Sequence, residues 1–295
     1  MNVLAARAGL ERIRWADLVE LSKPRITGLI MLTAAVGYRL GAVGGFDLGL
    51  LPLLLGTALT SSGAAALNQY LEREIDARMR RTESRPLPAG RVRPVDALAL
   101  GLLLSLAGLL LLLLTLPPLA GAVALATSGS YLFAYTPLKV RTSLATIIGA
   151  VPGALPPVGG WAAATGRIEP GAAVLFAIVF LWQIPHFLAI AWMHREDYAR
   201  GGIRMLPVVD PTGASTARQT ALSALALLPV SLVPAAIGMA GNLYLAGALL
   251  LGGLMTLASL EFARAPGAER ARRLLLASVI YLPLLWTLLL VDHTT

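Results

Sequence analysis

Apolar runs long enough to cross a membrane recur along the whole 295-residue chain, and nearly all the charge sits in the short segments between them. A helix needs about 20 apolar residues to span the hydrocarbon core, and only helices or closed barrels satisfy every backbone group there. With 57% hydrophobic and 14% charged residues, the chain is expected to be all-α. The expected architecture is a polytopic membrane protein of about nine transmembrane helices around a central cavity. The spans fall at about 24–42, 49–72, 97–116, 119–137, 144–163, 171–193, 220–239, 242–261 and 274–291. Pro152, Pro156 and Pro157 break the fifth, which is tolerated where protein or a water-filled cavity takes up the freed backbone groups. Residues 1–22, with Arg7, Arg12 and Arg14, read as a cytoplasmic amphipathic lead-in, and 23–295 as a single transmembrane domain. No cleavable secretory signal is expected.

The net charge of +8 could suggest nucleic acid, but the basic residues cluster at the ends of apolar runs. That pattern marks topology signals and contacts with lipid phosphates, so membrane lipid is the expected partner and nucleic acid is not. If spans alternate, 22 of the 24 basic residues fall on one side, leaving Arg39 and Arg167 on the other. The basic side is expected to be cytoplasmic, with the N-terminus inside. The chain has no cysteine, which excludes disulfides, iron–sulfur ligation and thiolate metal sites.

The most polar block of the chain follows the second apolar run, from Leu67 to Pro88. Asn68, Glu72 and Asp76 recur at i, i+4 and i+8. Each step of four advances about 40° around a helix, so the three share one face over roughly 12 Å. Acids at the end of a span are costly unless paired or metal-bound. An amide and two carboxylates suit Mg²⁺, which takes one or two carboxylates plus substrate phosphates. The bland alternative is a solvated helix end paired with Arg73, Arg80 or Arg81. Arg78, Arg80, Arg81 and Arg85 follow at once, and guanidinium forks match phosphate oxygens. They also serve as a topology signal, and the two roles do not conflict.

Lys139 and Arg141, after Tyr131, Tyr135 and Thr136, form a second basic segment able to bind a diphosphate; a short loop with a snorkelling lysine is the simpler reading. The sixth run carries Trp182-Gln183-Ile184-Pro185-His186-Phe187 and ends at His194. A histidine inside a span is more often a packing residue than a ligand, although membrane burial favours function. A weak internal echo links the two regions: a helix, then acids, then arginine and Leu-Pro, at 72–88 and again at 194–207. If the echo is real, two half-sites face each other. No P-loop, GxGxxG or HExxH pattern occurs.

Taken together these blocks resemble the UbiA-type intramembrane prenyltransferases, in particular their protoheme IX farnesyltransferase (heme O synthase) branch. The resemblance rests on Ser22-Lys23-Pro24-Arg25, on Asn68 to Asp76 with Arg81-Thr82-Glu83-Ser84-Arg85-Pro86-Leu87, on Tyr135 to Thr142, and on Trp182 to Phe187 continuing to Asp197-Tyr198 and Met205 to Val209. It covers roughly residues 20–290. It implies Mg²⁺ held by Asn68, Glu72 and Asp76 with Asp197 opposite, and Arg81, Arg85, Lys139 and Arg141 on the diphosphate. It also implies heme contacts at His186, His194 and Trp182. The implied substrates are farnesyl diphosphate and heme B, the implied location a bacterial-type inner membrane with the site facing the cytoplasm. A heme A synthase or an oxidase assembly factor would be the implied partner. The sequence departs from the wider family at Gln69 and Glu72, where Asp is usual, and has a thinner second motif of His194, Glu196 and Asp197. A prenyltransferase for an aromatic or quinone precursor, a transporter and a non-catalytic heme-handling protein remain alternatives. The charges sit at one membrane face, which speaks against the transporter.

Overall fold

The computed structural model describes residues 14–42 and 48–294. Among these, helices follow one another as α1 (Trp15–Leu21), α2 (Pro24–Gly41), α3 (Leu50–Asp76), α4 (Pro94–Thr115), α5 (Pro118–Gly129), a π-helical stretch (Ser130–Tyr135), α6 (Thr136–Leu138), α7 (Ala145–Thr165), α8 (Pro170–Met193), α9 (Arg195–Arg200), α10 (Leu206–Val209), α11 (Ala214–Ala236), α12 (Asn242–Arg264) and α13 (Ala268–Val291). The all-α expectation holds. Seven of these helices are long and apolar enough to cross a membrane: α3, α4, α7, α8, α11, α12 and α13.

The two remaining expected spans are helical but differ in kind. α2 has 18 residues and carries Arg25 and Arg39 near its ends. The fourth expected span is composite: α5 passes into the π-helical stretch and ends in the single turn of α6. Of the expected lead-in, residues 14–22 are described and include α1, whereas Arg7 and Arg12 lie outside the described residues.

Apolar surface explains the packing. α4 is the most apolar of the seven and the least buried, with Leu103, Leu106, Leu110 and Leu114 all exposed. An exposed leucine stripe of this size is stable only against lipid. The largest core cluster lies among α7, α8, α11, α12 and α13, around Trp161, Leu175, Ile178, Tyr244, Phe262, Tyr281 and Trp286. α3 packs along α4, and α2 along α7. Small residues allow these approaches, as is usual where lipid supplies no hydrophobic drive between helices. A side chain at Gly160 would overlap the Ala34 carbonyl of α2, and one at Gly37 would overlap the Pro157 carbonyl of α7.

Two departures from regular helix help to position side chains at one end of α3. Lys23, just before α2, has φ 46°, the one positive φ outside glycine among the described residues. The following Pro24 disfavours the right-handed helical conformation at Lys23, and the left-handed one carries a steric cost. The π-helical stretch is the second. Thr136 Oγ1 donates to Tyr131 O at 2.9 Å, five residues back, and such single-turn π segments shift the helical register by one residue.

Gly160→Ala places a methyl group against backbone that cannot move aside, so stability should fall by about 1–3 kcal/mol. Gly28→Ala meets nothing within 4 Å and should not lower stability, since alanine favours a helix over glycine. Thermal unfolding of both variants in detergent checks the contrast.

Candidate functional site

The face predicted on α3 exists and is buried. Asn68 and Glu72 are each 3% exposed and Asp76 1%. An ionised carboxylate at such burial needs direct compensation, and each finds it. Lys139 forms an ion pair with Glu72. Arg85 Nη1 lies 2.7 Å from Asp76 Oδ2. Asn68 donates through Nδ2 to Glu72 Oε1 at 2.5 Å and to Thr136 Oγ1 at 3.2 Å. Its Oδ1 accepts from Lys23 Nζ at 3.2 Å. Lys23 and Lys139 are the chain's only two lysines among 24 basic residues.

Each cation is placed by a distinct piece of backbone. Arg85 returns to α3 because the chain coils tightly after Asp76: Thr82 Oγ1 donates to Asp76 O at 2.8 Å, and buried Met79 anchors the coil against Ala145, Ile203 and Met205. The π-helical register and α6 bring Thr136 and Lys139 to the same face, with Lys139 Nζ 5.9 Å from the centre of the Tyr135 ring. Lys23 is set by α1, since Gln69 Nε2 donates to Leu21 O at 2.9 Å. Arg91 then ties α1 to the coil, at 2.7 Å from Asp17, 2.8 Å from Glu20 and 2.6 Å from Ser84 O. Burial pushes the Lys23 ammonium down to about 8, aided by Arg85 and opposed by Glu72 and Asp76.

Asp197 reaches this region from α9 by a different route. Its carboxylate accepts the backbone N–H of Arg80 at 2.9 Å and of Arg81 at 3.2 Å, and it pairs with Arg200. Burial raises its pKa, but the Arg200 bond and the Arg81 and Arg80 N–H groups outweigh that and hold it below the usual aspartate value. The two echoing segments therefore meet, joined by side chain to backbone. His194 sits beside them on a cavity of about 490 Å³ lined also by Arg80, Arg81, Arg195 and Asp197. Burial and Arg81 lower its pKa, against the pull of Asp197. Arg81 lies over the Tyr198 ring at 5.7 Å.

Not every expected residue joins this group. Arg141 is exposed on the turn after Lys139, and no side-chain contact ties it to the acids among the described residues. His186 and Trp182 are held by α13. The Trp182 indole donates to Ser278 O at 2.8 Å, His186 Nδ1 is 2.8 Å from Ser278 Oγ, and the two rings stack at 4.9 Å. Ser278 directs its one hydroxyl proton to Leu275 O at 2.6 Å. With that proton on Leu275 O, His186 Nδ1 donates to Ser278 Oγ, and in the neutral ring Nε2 is the nitrogen left to act as a ligand.

Sequence reasoning missed the placement of Lys23, Thr136 and Gln69. The rarity of lysine was the available signal: with arginine used almost everywhere else, two lone lysines mark positions needing a compact ammonium.

The donor chemistry fits a hard divalent ion. Asn68, Glu72 and Asp76 offer oxygen on one helix face, and two protein carboxylates leave coordination positions for phosphate oxygens. Among the described residues no group of three or more His, Cys, Asp and Glu side chains is gathered closely enough to hold a metal unaided. The surrounding cations suit a ligand that carries its own negative charge.

Comparison with known proteins gives a consistent result. The sequence model described as UbiA prenyltransferase family matches residues 30–289. A protoheme IX farnesyltransferase of Solibacter usitatus (strain Ellin6076) is 51% identical over 287 residues, covering 94% of this chain and 98% of that protein. Another, of Koribacter versatilis (strain Ellin345), is 46% identical over 289 residues, covering 94% and 93%. Among solved structures, one of digeranylgeranylglyceryl phosphate synthase superposes with TM-score 0.80 at 18% identity, over 94% of this chain and 97% of that one. A UbiA homolog from Archaeoglobus fulgidus bound to GPP and Mg²⁺ gives TM-score 0.60 at 16% identity, over 92% and 99%. At such identities these structures show a shared fold.

Asp197→Ala strands two backbone N–H groups in the coil after α3 and should cost about 1–3 kcal/mol at pH 7. Because the folded-state pKa of Asp197 is depressed, its contribution is complete above the ordinary aspartate pKa of about 4 and is lost as pH falls through the folded value. The gap in unfolding temperature between the parent protein and Asp197→Ala should therefore shrink on acidification from pH 7 to pH 3.

Proposed function

The chain belongs to the UbiA prenyltransferase family, and on that premise we propose that it transfers the farnesyl group of farnesyl diphosphate to a vinyl group of heme B, giving heme O. The observation that carries the transferase chemistry is the buried Asn68–Glu72–Asp76 face enclosed by Lys23, Lys139 and Arg85. The acceptor is supported by relatives at 41–51% identity, each named protoheme IX farnesyltransferase.

Asn68, Glu72 and Asp76, with Asp197 opposite, would hold Mg²⁺. When bound, the ion neutralises charge on the diphosphate oxygens. Lys139, Arg85 and Arg81 contact the diphosphate directly, with Arg141 at its outer edge. Their charge is fixed in place before reaction, so negative charge growing on the leaving group meets partners without reorganisation. The allylic C–O bond breaks, and diphosphate departs with its electron pair. The terminal vinyl carbon of the porphyrin bonds to farnesyl C1. Water adds to the carbon next to the ring and loses a proton, which completes the hydroxyethylfarnesyl arm. The packed helices keep water from the allylic cation before that point. His186 and Trp182 line the porphyrin pocket, and Nε2 of His186 is presented to the heme. His194 borders the same pocket from the polar end.

The chain crosses a bacterial-type inner membrane nine times, α2 and the composite α5–α6 segment included, around a central cavity. Residues 23–295 form one transmembrane domain, with the lead-in and the site on the cytoplasmic side. The clustering of arginine at that end supports this orientation. Heme A synthase or an oxidase assembly factor receives the product.

Purified protein incubated with heme B, farnesyl diphosphate and Mg²⁺ should yield a heme heavier by one farnesyl group plus one hydroxyl group, detected by mass spectrometry. The product should vanish with chelator and in Asp76→Asn. Diphosphate release with phenolic acceptors, but no heme product, would instead favour an aromatic prenyltransferase.

A further inference from the structure

The cavity of about 490 Å³ beside the coil after α3 is lined by Arg80, Arg81, Arg195 and Arg200 against two acids, Glu196 and Asp197. Its size falls in the range of small-molecule sites. The four arginines are all exposed to it or to solvent. Asp197 pairs with Arg200 alone among the arginine side chains. The α3 acids are served by Lys139 and Arg85, so these four arginines are not required to neutralise them. Two positive charges are left over. A topology signal needs basic residues on the correct side of the membrane; it does not need them gathered around a cavity. Trp192 also lines the cavity, its ring covered by Arg195 at 4.7 Å. The buried indole N–H of Trp192 has no hydrogen-bond partner.

A rim carrying two surplus positive charges matches the edge of a ligand that bears two carboxylates. We propose that this cavity holds the propionate edge of the porphyrin acceptor, with Arg80 and Arg195 pairing with the two carboxylates. The proposal rests on heme B being the acceptor. It also sets the orientation of the substrate. The propionates lie on one edge of the porphyrin and the vinyl groups towards the other. Anchoring the propionates at the rim turns a vinyl group inward, to the side of the coil where Asp76 and Arg85 sit. Arg81 and Asp197, joined through the Arg81 N–H, form the wall between the two substrates. An anionic lipid headgroup offers the same charge, so the test separates the two sources.

The full-length protein is reconstituted in nanodiscs of neutral lipid and titrated with heme B and with its dimethyl ester, which lacks both carboxylate charges. Charge-assisted pairing predicts about tenfold tighter binding of heme B than of the ester. Arg80→Gln and Arg195→Gln should each weaken heme B and leave the ester unchanged, while Arg218→Gln, exposed elsewhere on the chain, should alter neither. Equal affinity for heme B and ester overturns the proposal, as does a preference for heme B that survives both arginine substitutions. A loss seen only when anionic lipid is present assigns the cavity to lipid and overturns it as well. The underlying reading is judged separately. Farnesylation of heme B and ester with the same KM removes the cavity proposal alone, whereas no farnesylated heme from the parent protein removes both.

Discussion

Two carboxyl groups and an amide buried on one face of α3 set the terms for the structure around them. Taking such groups out of water costs several kcal/mol each unless partners are supplied at contact distance. The chain supplies them from three separate places: Lys23 before α2, Arg85 from the coil after α3, and Lys139 after the π-helical stretch. Each delivery needs backbone that a plain helical bundle would avoid. Lys23 takes a left-handed conformation, α5 gives way to π geometry, and the coil folds back on Asp76 O. Irregular backbone near a membrane is tolerated where protein covers it, and each of the three irregularities here delivers a side chain to the same α3 face.

The same constraint explains why the second half of the chain is tied to the first. Asp197 has no counterpart in side-chain pairing with α3; it grips the coil through the N–H groups of Arg80 and Arg81. That grip fixes where Arg81 and Arg85 can be. α1 acts from the other flank, with Arg91 linking Asp17, Glu20 and Ser84. The coil is thus clamped between the N-terminal helix and α9. For the proposed function this matters, because a loop whose cations are to meet a phosphate is useful only if it is already in position; ordering it on binding would subtract from affinity.

The lipid-facing helices and the Asn68–Glu72–Asp76 face were legible in the sequence because each rests on local periodicity. Hydropathy marks a span within some 20 residues, and i, i+4, i+8 spacing defines a face without tertiary knowledge. The partners were less legible because they depend on distant chain. Lys23 reaches Asn68 across 45 positions, and nothing in Ser22-Lys23-Pro24 states that its backbone turns left-handed. Ser278, which meets His186 Nδ1 from 92 positions away, is an ordinary serine in an apolar helix. The seventh and ninth expected spans started later than the helices observed, because polar first turns such as Ser215–Gln219 and Glu269–Arg273 hide a helix from hydropathy.

The central claim is that the α3 face and its cations form one site for a metal-bound diphosphate, charged on both sides and incomplete without that ligand. Titration of the full-length protein with Mn²⁺, followed by its electron paramagnetic resonance, tests it most directly. The claim predicts weak uptake of Mn²⁺ alone, because Lys23, Lys139 and Arg85 compete for the acids, and much tighter uptake when inorganic diphosphate is added. It predicts that a Glu72→Gln, Asp76→Asn double variant loses the diphosphate-dependent signal. Equal Mn²⁺ binding with and without diphosphate, or a signal unchanged in the double variant, would contradict it.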